Sequence, residues 1–354
     1  MNYYFKFGDL KFQTKFDLCS HIGLNQLKLE DLHNSSFVPY NNFNNYVFKR
    51  IKNSNFEDVA LKRLKQLREQ YSFIRLWYSG GKDSHIILHL AEKYNIKFDE
   101  ILSFPNAIYG KVELQNVDKL IPKYYHEENK FLKIVQDPKH YNMVYKNSDW
   151  WKHTPYWGIQ MAMHNPLMYR FILPELKEIQ FPKNRCELIG GEVPTIWKDK
   201  DNWNFIFNEY EFNSSTFDTC ENFIFSSEIL ESYVNNIINS LEKQKYVYNF
   251  GDTLSFLRKK GDSKRWLRDQ IPIFKELKVD KQLDKELLNA KINIKLDDFN
   301  PYSAWISTKE KLVLEKYYDS NEEFMINYKK TEWKTIKLIQ GFGTINTKIF
   351  KLIN

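Results

Sequence analysis

The chain has 354 residues, of which 42% are hydrophobic, 16% aromatic and 27% charged, and this composition predicts a packed globular protein without extended disorder. The net charge of +7 is compatible with an anionic ligand, a nucleic acid or an ordinary solvated surface. No apolar run reaches the roughly 18 residues of a membrane span, so no membrane association is expected.

The N-terminus and the cysteines bear on the cellular compartment. The opening residues, MNYYFKFGDL, lack the basic stretch followed by an apolar stretch that marks a secretory signal. Cys19, Cys186 and Cys220 are an odd, scattered set, which is typical of reduced thiols rather than of a disulfide framework. Both observations predict a cytoplasmic protein.

Residues 1–55 are predicted to form a small N-terminal α+β piece. Alternating apolar and polar residues on both sides of Gly8-Asp9 indicate a β-hairpin. The segment that follows, FEDVALKRLKQLREQY (56–71), spaces its apolar residues as an amphipathic helix does.

Residues 56–212 alternate between strand and helix patterns. The run FIRLWY (73–78) is typical of a central parallel strand, and the helical pattern SHIILHLAEKY follows over 84–94. Further strands are predicted over 98–104, 131–136 and 186–191, and further helices over 112–121, ended by Pro122, and over 165–179, with an interruption near Pro174. This alternation predicts an α/β fold with a doubly wound parallel sheet.

Residues 213–354 are predicted to form a mostly helical C-terminal module. Helix-like patterns cover 226–244, 252–261 and 263–277. The ending over 336–354 is ambiguous between strand and helix.

The segment SGGKDS (79–84) stands where the predicted central strand meets the next helix. Ligands of open parallel sheets bind at the carboxyl ends of strands, where a helix N-terminus aims unpaired N–H groups and its positive dipole. Gly80 and Gly81 allow a sharp turn and a close approach of an anion to the backbone. Lys82 adds a positive charge, and Ser79 and Ser84 add hydroxyl donors.

Asp83 is the acidic member of this segment. Its carboxylate either caps N–H groups at the helix start or approaches a Mg²⁺ ion that bridges phosphate oxygens. The segment matches neither the Walker A pattern nor G-x-G-x-x-G. Its donors suit a pyrophosphate group.

"SGGKDS" after a strand resembles the PP-loop of the N-type ATP pyrophosphatase superfamily. The longer string YSGGKDSHIILHLAEKY is most similar to the branch that contains phosphoadenylylsulfate reductases and the small subunit of ATP sulfurylase. The resemblance implies an adenine nucleotide alpha hydrolase-like fold of the HUP type, which binds ATP and Mg²⁺ and cleaves ATP between its α and β phosphates. Lys82 and Asp83 would then be the catalytic residues.

The resemblance also implies positions around the nucleotide. Ser103 and Phe104, just after the second strand, would lie against the adenine. Gly190 and Gly191 end the later strand and would close over the nucleotide, and Glu192 would hold Mg²⁺ together with Asp83. For Ser103 and Phe104, the alternative interpretation is an ordinary exit from a strand. For the segment Gly190 to Glu192, it is a turn with a solvated carboxylate.

Three further features have open interpretations. The basic segment 259–268 has three interpretations: a contact with pyrophosphate, a contact with RNA, or a solvated helix face. Its cations are Lys259, Lys260, Lys264, Arg265 and Arg268. The aromatic cluster DWWKHTPYW (149–157) is a packed core or a substrate pocket. His85 and His89 have a spacing that suits metal ligands, although packing is favoured because no third ligand is visible nearby.

The expected function is an ATP-dependent adenylating enzyme of the ligase or amide-forming type, similar to asparagine synthetase. The chain lacks the CxxC pairs of thiolation enzymes and any cysteine after Cys220, where the reductases carry a catalytic cysteine in the C-terminal tail. Asn2 follows Met1, so the N-terminal cysteine nucleophile of a glutamine amidotransferase is missing, and ammonia would be free or delivered by a partner protein that donates ammonia or sulfur. The acceptor would be a small molecule or a nucleic acid.

Two alternatives stay open. One is a sulfonucleotide-binding enzyme of the phosphoadenylylsulfate reductase family. The other is a non-catalytic protein that binds a nucleotide or a nucleic acid.

Overall fold

A computed structural model describes segments of both halves of the chain, the longest of which is 45–103. The described residues are 3–13, 15–24, 35–39, 43, 45–103, 117–118, 130–133, 184–191, 193–199, 202–207, 220–243, 267–277, 345 and 347–353.

The described elements comprise strands and helices in mixed order. In chain order they are β1 (Tyr3–Phe7), β2 (Leu10–Phe12), α1 (Lys15–Leu24), β3 (Ser35–Pro39), α2 (Phe56–Gln70), β4 (Phe73–Trp77), α3 (Lys82–Lys93), β5 (Glu100–Ser103), β6 (Lys130–Lys133), β7 (Arg185–Ile189), β8 (Thr195–Asp199), β9 (Asn202–Ile206), β10 (Cys220–Asn222), α4 (Ser227–Lys243), α5 (Pro272–Glu276) and β11 (Phe350–Lys351).

The N-terminal piece is a three-stranded antiparallel sheet in the order β2-β1-β3. The hairpin turn predicted at Gly8-Asp9 joins β1 to β2, and Gly8 has a φ of 57°, which glycine adopts without strain. Tyr3, Phe5 and Phe37 are buried on one face of this sheet, with ring centroids 5.5 to 5.9 Å apart.

The main sheet has five strands in the order β10-β7-β4-β5-β6, and every neighbouring pair is parallel. The chain therefore begins this sheet at its centre with β4, extends it to one side through β5 and β6, and then extends it to the other side through β7 and β10. The order reverses between β4 and β7. The carboxyl ends of these two strands lie next to each other at that point.

Helices α2, α3 and α4 pack together beside this sheet. The α2 residues Phe56, Ala60, Leu64 and Leu67 recur at helical spacing and are all buried. Asn55 caps the start of α2, because its side-chain oxygen accepts a hydrogen bond from the Glu57 N–H.

Buried charges link the three central strands of the main sheet. Arg75 on β4 lies directly opposite Glu100 on β5 and Glu187 on β7, so the three side chains share one face. Its guanidinium forms ion pairs of 3.0 Å with each carboxylate, and no side chain of the three is more than 3% exposed. The central run is therefore not purely apolar, although its bulky residues predict its position.

A third sheet, in the order β11-β9-β8, is antiparallel and joins distant parts of the chain. Phe205 and Phe207 stack on Phe350, with centroids 5.1 and 5.7 Å apart. Phe48 packs edge-on against Phe205 and Phe350. The segment around residue 48 thereby fastens the N-terminal part of the chain to this sheet.

The domain boundary predicted at residue 212 falls inside the α/β architecture. The fifth parallel strand, β10, and the helix α4, which packs on α2, both follow that residue. The helix predicted over 263–277 is interrupted within its described part: the chain turns at Gln270 and Ile271, and α5 begins with Pro272 at its first position.

The expected helix over 165–179 and the aromatic cluster 149–157 lie outside the described residues. No helix in the described part of the chain is long and apolar enough to cross a membrane.

Candidate functional site

The segment SGGKDS leaves the carboxyl end of the central strand β4 and enters α3. The Tyr78 N–H donates to the Leu102 carbonyl of β5, which holds the chain in the sheet until the turn begins. Gly80 then takes a φ of 80°, a conformation that favours glycine. Gly81 is the N-cap residue of α3, so the helix start has no capping side chain of its own.

The two serines hold the turn closed. The Ser84 hydroxyl accepts from the Ser79 N–H at 3.1 Å and donates to the Gly81 carbonyl at 3.1 Å. The Ser79 hydroxyl lies 3.1 Å from the Ser84 hydroxyl and accepts from the Gly81 N–H at 3.3 Å. Ser84 is buried whereas Ser79 is exposed, so Ser84 shapes the turn and Ser79 borders solvent.

Gly190, which follows β7, lies directly against this turn. A Cβ atom at Gly190 would stand 2.9 Å from the Asp83 carbonyl oxygen and 3.2 Å from the Ser84 backbone nitrogen. Both neighbours are backbone atoms, so only glycine allows this approach. The structure therefore brings Gly190 to the loop at the point where the strand order reverses.

Gly191 faces a different neighbour. A Cβ atom there would stand 2.5 Å from the ring of Phe225, which is fully buried. The role of Gly191 in the described structure is thus close packing against the segment that connects β10 to α4.

The charged side chains of the loop pair with a dipeptide from the C-terminal part of the chain. Lys82 Nζ lies 2.8 Å from both Oδ1 and Oδ2 of Asp269. Arg268 Nη1 donates to Asp83 Oδ2 at 2.6 Å, and its Nε lies 3.6 Å from Asp269 Oδ1. We call these four residues, Lys82, Asp83, Arg268 and Asp269, the clasp.

Burial differs across the clasp. The side chains of Arg268 and Lys82 are 6% and 10% exposed, whereas those of Asp83 and Asp269 are 25% and 31% exposed. Burial alone disfavours the Arg268 cation, but the carboxylates of Asp83 and Asp269 outweigh it and hold the pKa of Arg268 above its usual range. The guanidinium is therefore a permanent charge beside the loop.

Polar side chains also lie near the end of β5. Ser103 is fully buried, and its hydroxyl has no hydrogen-bond partner among the described residues. Next to β5, the Tyr78 hydroxyl lies 3.1 Å from His85 Nδ1 in the first turn of α3, and both side chains are buried. A buried hydroxyl without a partner is energetically costly.

The predicted site residues separate into three groups: those around the loop, the described residues Ser103 and Gly191, which lie at the end of β5 and against Phe225, and those outside the described part of the chain. The structure brings together the loop residues Ser79, Gly80, Gly81, Lys82, Asp83 and Ser84 with Gly190, and it places Arg268 of the basic segment beside them. Phe104, Glu192, Lys259, Lys260, Lys264 and Arg265 lie outside the described residues.

Asp269 is the site residue that sequence reasoning missed. It lies 187 residues from Lys82 in the chain, and nothing in the spacing relates the two positions. The signal that the sequence offered was the residue types: Lys82-Asp83 and Arg268-Asp269 are both a cation followed by an anion. Two such dipeptides can form two ion pairs, each cation with the anion of the other dipeptide.

Of the candidate metal ligands, His85, His89 and Asp83 are among the described residues, and Glu192 is not. Within the described part of the chain, no group of three or more His, Cys, Asp or Glu side chains is arranged to hold a metal ion. His85 instead contacts Tyr78. Asp83, the described member of the predicted pair of Mg²⁺ ligands, accepts a hydrogen bond from Arg268.

Comparisons of the chain with protein-family models, curated proteins and solved structures find no match.

Proposed function

We propose that the chain is an ATP-dependent adenylating enzyme with a doubly wound sheet of the HUP type. The observation that carries the proposal is the position of SGGKDS. It follows the central parallel strand, opens α3 and contacts Gly190 where the strand order reverses. Doubly wound sheets bind their ligands in the crevice at such a reversal.

The loop has the groups that a triphosphate requires. The first N–H groups of α3 and the positive end of its dipole favour an anion, and Lys82 adds a charge. Arg268 would stabilise negative charge that develops as pyrophosphate leaves. Ser103 would donate to or accept from the nucleoside, which satisfies a hydroxyl that is otherwise buried without a partner.

Asp83 fits a role at Mg²⁺, because carboxylate oxygens are the ligands that this ion prefers. Asp83, with Glu192 as the second predicted ligand, would hold the ion. When bound, Mg²⁺ would supply neutralisation of the phosphate charge.

The reaction has two steps. A substrate oxygen attacks the α phosphorus of ATP, the bond from that phosphorus to the bridging oxygen breaks, and pyrophosphate leaves with the electron pair. A nitrogen or sulfur nucleophile then attacks the activated substrate and AMP leaves. The acceptor is a small molecule or a nucleic acid, and the nucleophile comes from solution or from a partner protein.

Calorimetric titration of the full chain with ATP and with an α,β-methylene analogue tests the site. Lys82→Gln removes one charge-assisted contact to phosphate, so affinity should fall about tenfold to 100-fold. Lys65→Gln, an exposed lysine on α2, is the matched control and should bind as the wild type does.

Release of pyrophosphate from ATP, measured with Mg²⁺ and a metabolite extract or RNA, tests the chemistry. ATP binding without pyrophosphate release under any condition would favour the non-catalytic alternative. Equal ATP affinity in the wild type and Lys82→Gln would refute the site itself.

A further inference from the structure

The clasp is electrically balanced. Lys82 and Arg268 carry two positive charges, Asp83 and Asp269 carry two negative charges, and each loop residue pairs with the opposite charge across the contact. Within the clasp, the positive charges of a loop that is to bind a polyphosphate are therefore offset by carboxylates.

Lys82 is the group most affected. Its ammonium has three donors, and Asp269 takes hydrogen bonds at 2.8 Å with both of its oxygens. If a phosphate bound Lys82 while Asp269 stayed in place, the phosphate and the Asp269 carboxylate would contact the same ammonium group and lie close to each other. Like charges at such a distance repel strongly where solvent screening is reduced, and Lys82 is 10% exposed.

The two halves of the clasp differ in how easily they open. Arg268 is almost fully buried, is held by Asp83 at 2.6 Å and lies over the ring of Phe274 at 5.9 Å. Asp269 is 31% exposed. Rotation of its side chain towards water would release Lys82 and leave the backbone of residues 267–277 docked through Arg268.

We propose that Asp269 is an internal competitor for Lys82, which a pyrophosphate-bearing ligand displaces when it binds. The inference rests on the proposed function, since it concerns the same loop. Asp269 thereby lowers the affinity of the site for phosphate and makes binding depend on the C-terminal part of the chain.

The experiment titrates inorganic pyrophosphate into the full chain with EDTA present, so that no divalent ion contributes. Asp269→Asn keeps the shape of the side chain and removes its charge, and Asp269→Ser removes the carboxylate altogether. A partly exposed ion pair such as Lys82–Asp269 contributes up to about 1 kcal/mol, so loss of this competition should make both variants bind pyrophosphate about twofold to fivefold tighter.

Asp9→Asn is the matched control. It makes the same change in net charge at an exposed position in the β1–β2 turn. It should leave pyrophosphate affinity at the wild-type value, which separates local competition from a general increase in positive charge. Thermal unfolding of each variant checks that the fold is intact.

Two results would overturn the inference. If the wild type binds pyrophosphate and both Asp269 variants bind it equally or more weakly, Asp269 does not compete with the ligand, while the proposed function stands. If neither the wild type nor any variant binds pyrophosphate or ATP, the proposed function fails and the inference fails with it.

Discussion

Replacement of Arg75 by methionine should strongly destabilise the main sheet. Arg75→Met keeps the bulk of the side chain but leaves Glu100 and Glu187 buried without their common cation. Both ion pairs measure 3.0 Å, and the carboxylates are 3% and 2% exposed. Removal of one partner from a buried charge cluster costs about 3 to 5 kcal/mol, because the remaining charge stays desolvated.

The structure predicts how this cost divides between the two glutamates. Glu187 also accepts from Trp77 Nε1 at 2.6 Å and lies 3.3 Å from Arg185 Nε, so it keeps partners after the substitution. Glu100 Oε1 has no hydrogen-bond partner among the described residues, and Arg75 is the partner of its other oxygen. Most of the loss should therefore come from Glu100.

Urea unfolding followed by circular dichroism measures the free energy of unfolding for Arg75→Met alone and in combination with each glutamate substitution. Glu100→Gln should recover more stability in the Arg75→Met background than Glu187→Gln does. A loss below about 1 kcal/mol for Arg75→Met, or a larger rescue by Glu187→Gln, would refute this account of the buried charges.

Two further predictions concern the loop contact and acid stability. Gly190→Ala should lower the free energy of unfolding by about 1 to 3 kcal/mol and also weaken ATP binding, because its Cβ would stand 2.9 Å from the loop backbone. The control Gly81→Ala, whose Cβ would have an ordinary contact at 3.4 Å, should fold normally. An equal loss of stability in the two variants, measured by calorimetry, would contradict the argument. Burial opposes ionisation of Glu57, but hydrogen bonds from Lys93 and Tyr94 outweigh it and lower its pKa below 4.5. The Glu57 carboxylate thus stabilises the fold above pH 4.5, and this contribution is lost as the pH falls through the lowered pKa. Glu57→Gln should therefore make the urea midpoint depend less on pH below 4.5. If the midpoints of the wild type and the variant fall in parallel with pH, the argument is contradicted.

The order of elements around the loop could be predicted because local patterns determine it. A bulky run gives β4, the Gly-rich turn follows, and a helical period gives α3, and all three lie where the sequence predicts them. The break near residue 270 was also visible in principle, because Pro272 cannot continue a helix without loss of a hydrogen bond.

Other elements depend on contacts that no local pattern reveals. β10 has three residues and no apolar alternation, and it is a strand because β7 offers a free edge. β8 and β9 were missed for a similar reason, since their hairpin is stabilised by packing against Phe350, about 150 residues further along the chain.

In the candidate site, too, some features follow from the local sequence and others from contacts between distant segments. The loop itself is a contiguous string, and its chemistry can be derived from residue types. Asp269 and the partner of Asp83 come from a segment far along the chain, and only the folded structure brings them there. A register that pairs Arg75 with two glutamates is likewise a property of the assembled sheet.

The third sheet has a consequence for how the chain is made. Arg50 N donates to the Ile353 carbonyl, Ile353 N donates to the Phe48 carbonyl, and Thr347 N donates to the Phe207 carbonyl. During synthesis, the segments around residues 48 and 205 leave the ribosome long before the strand that covers them. The sheet can close only when residues 347–353 are available, so its long-range pairing is expected to form late in folding.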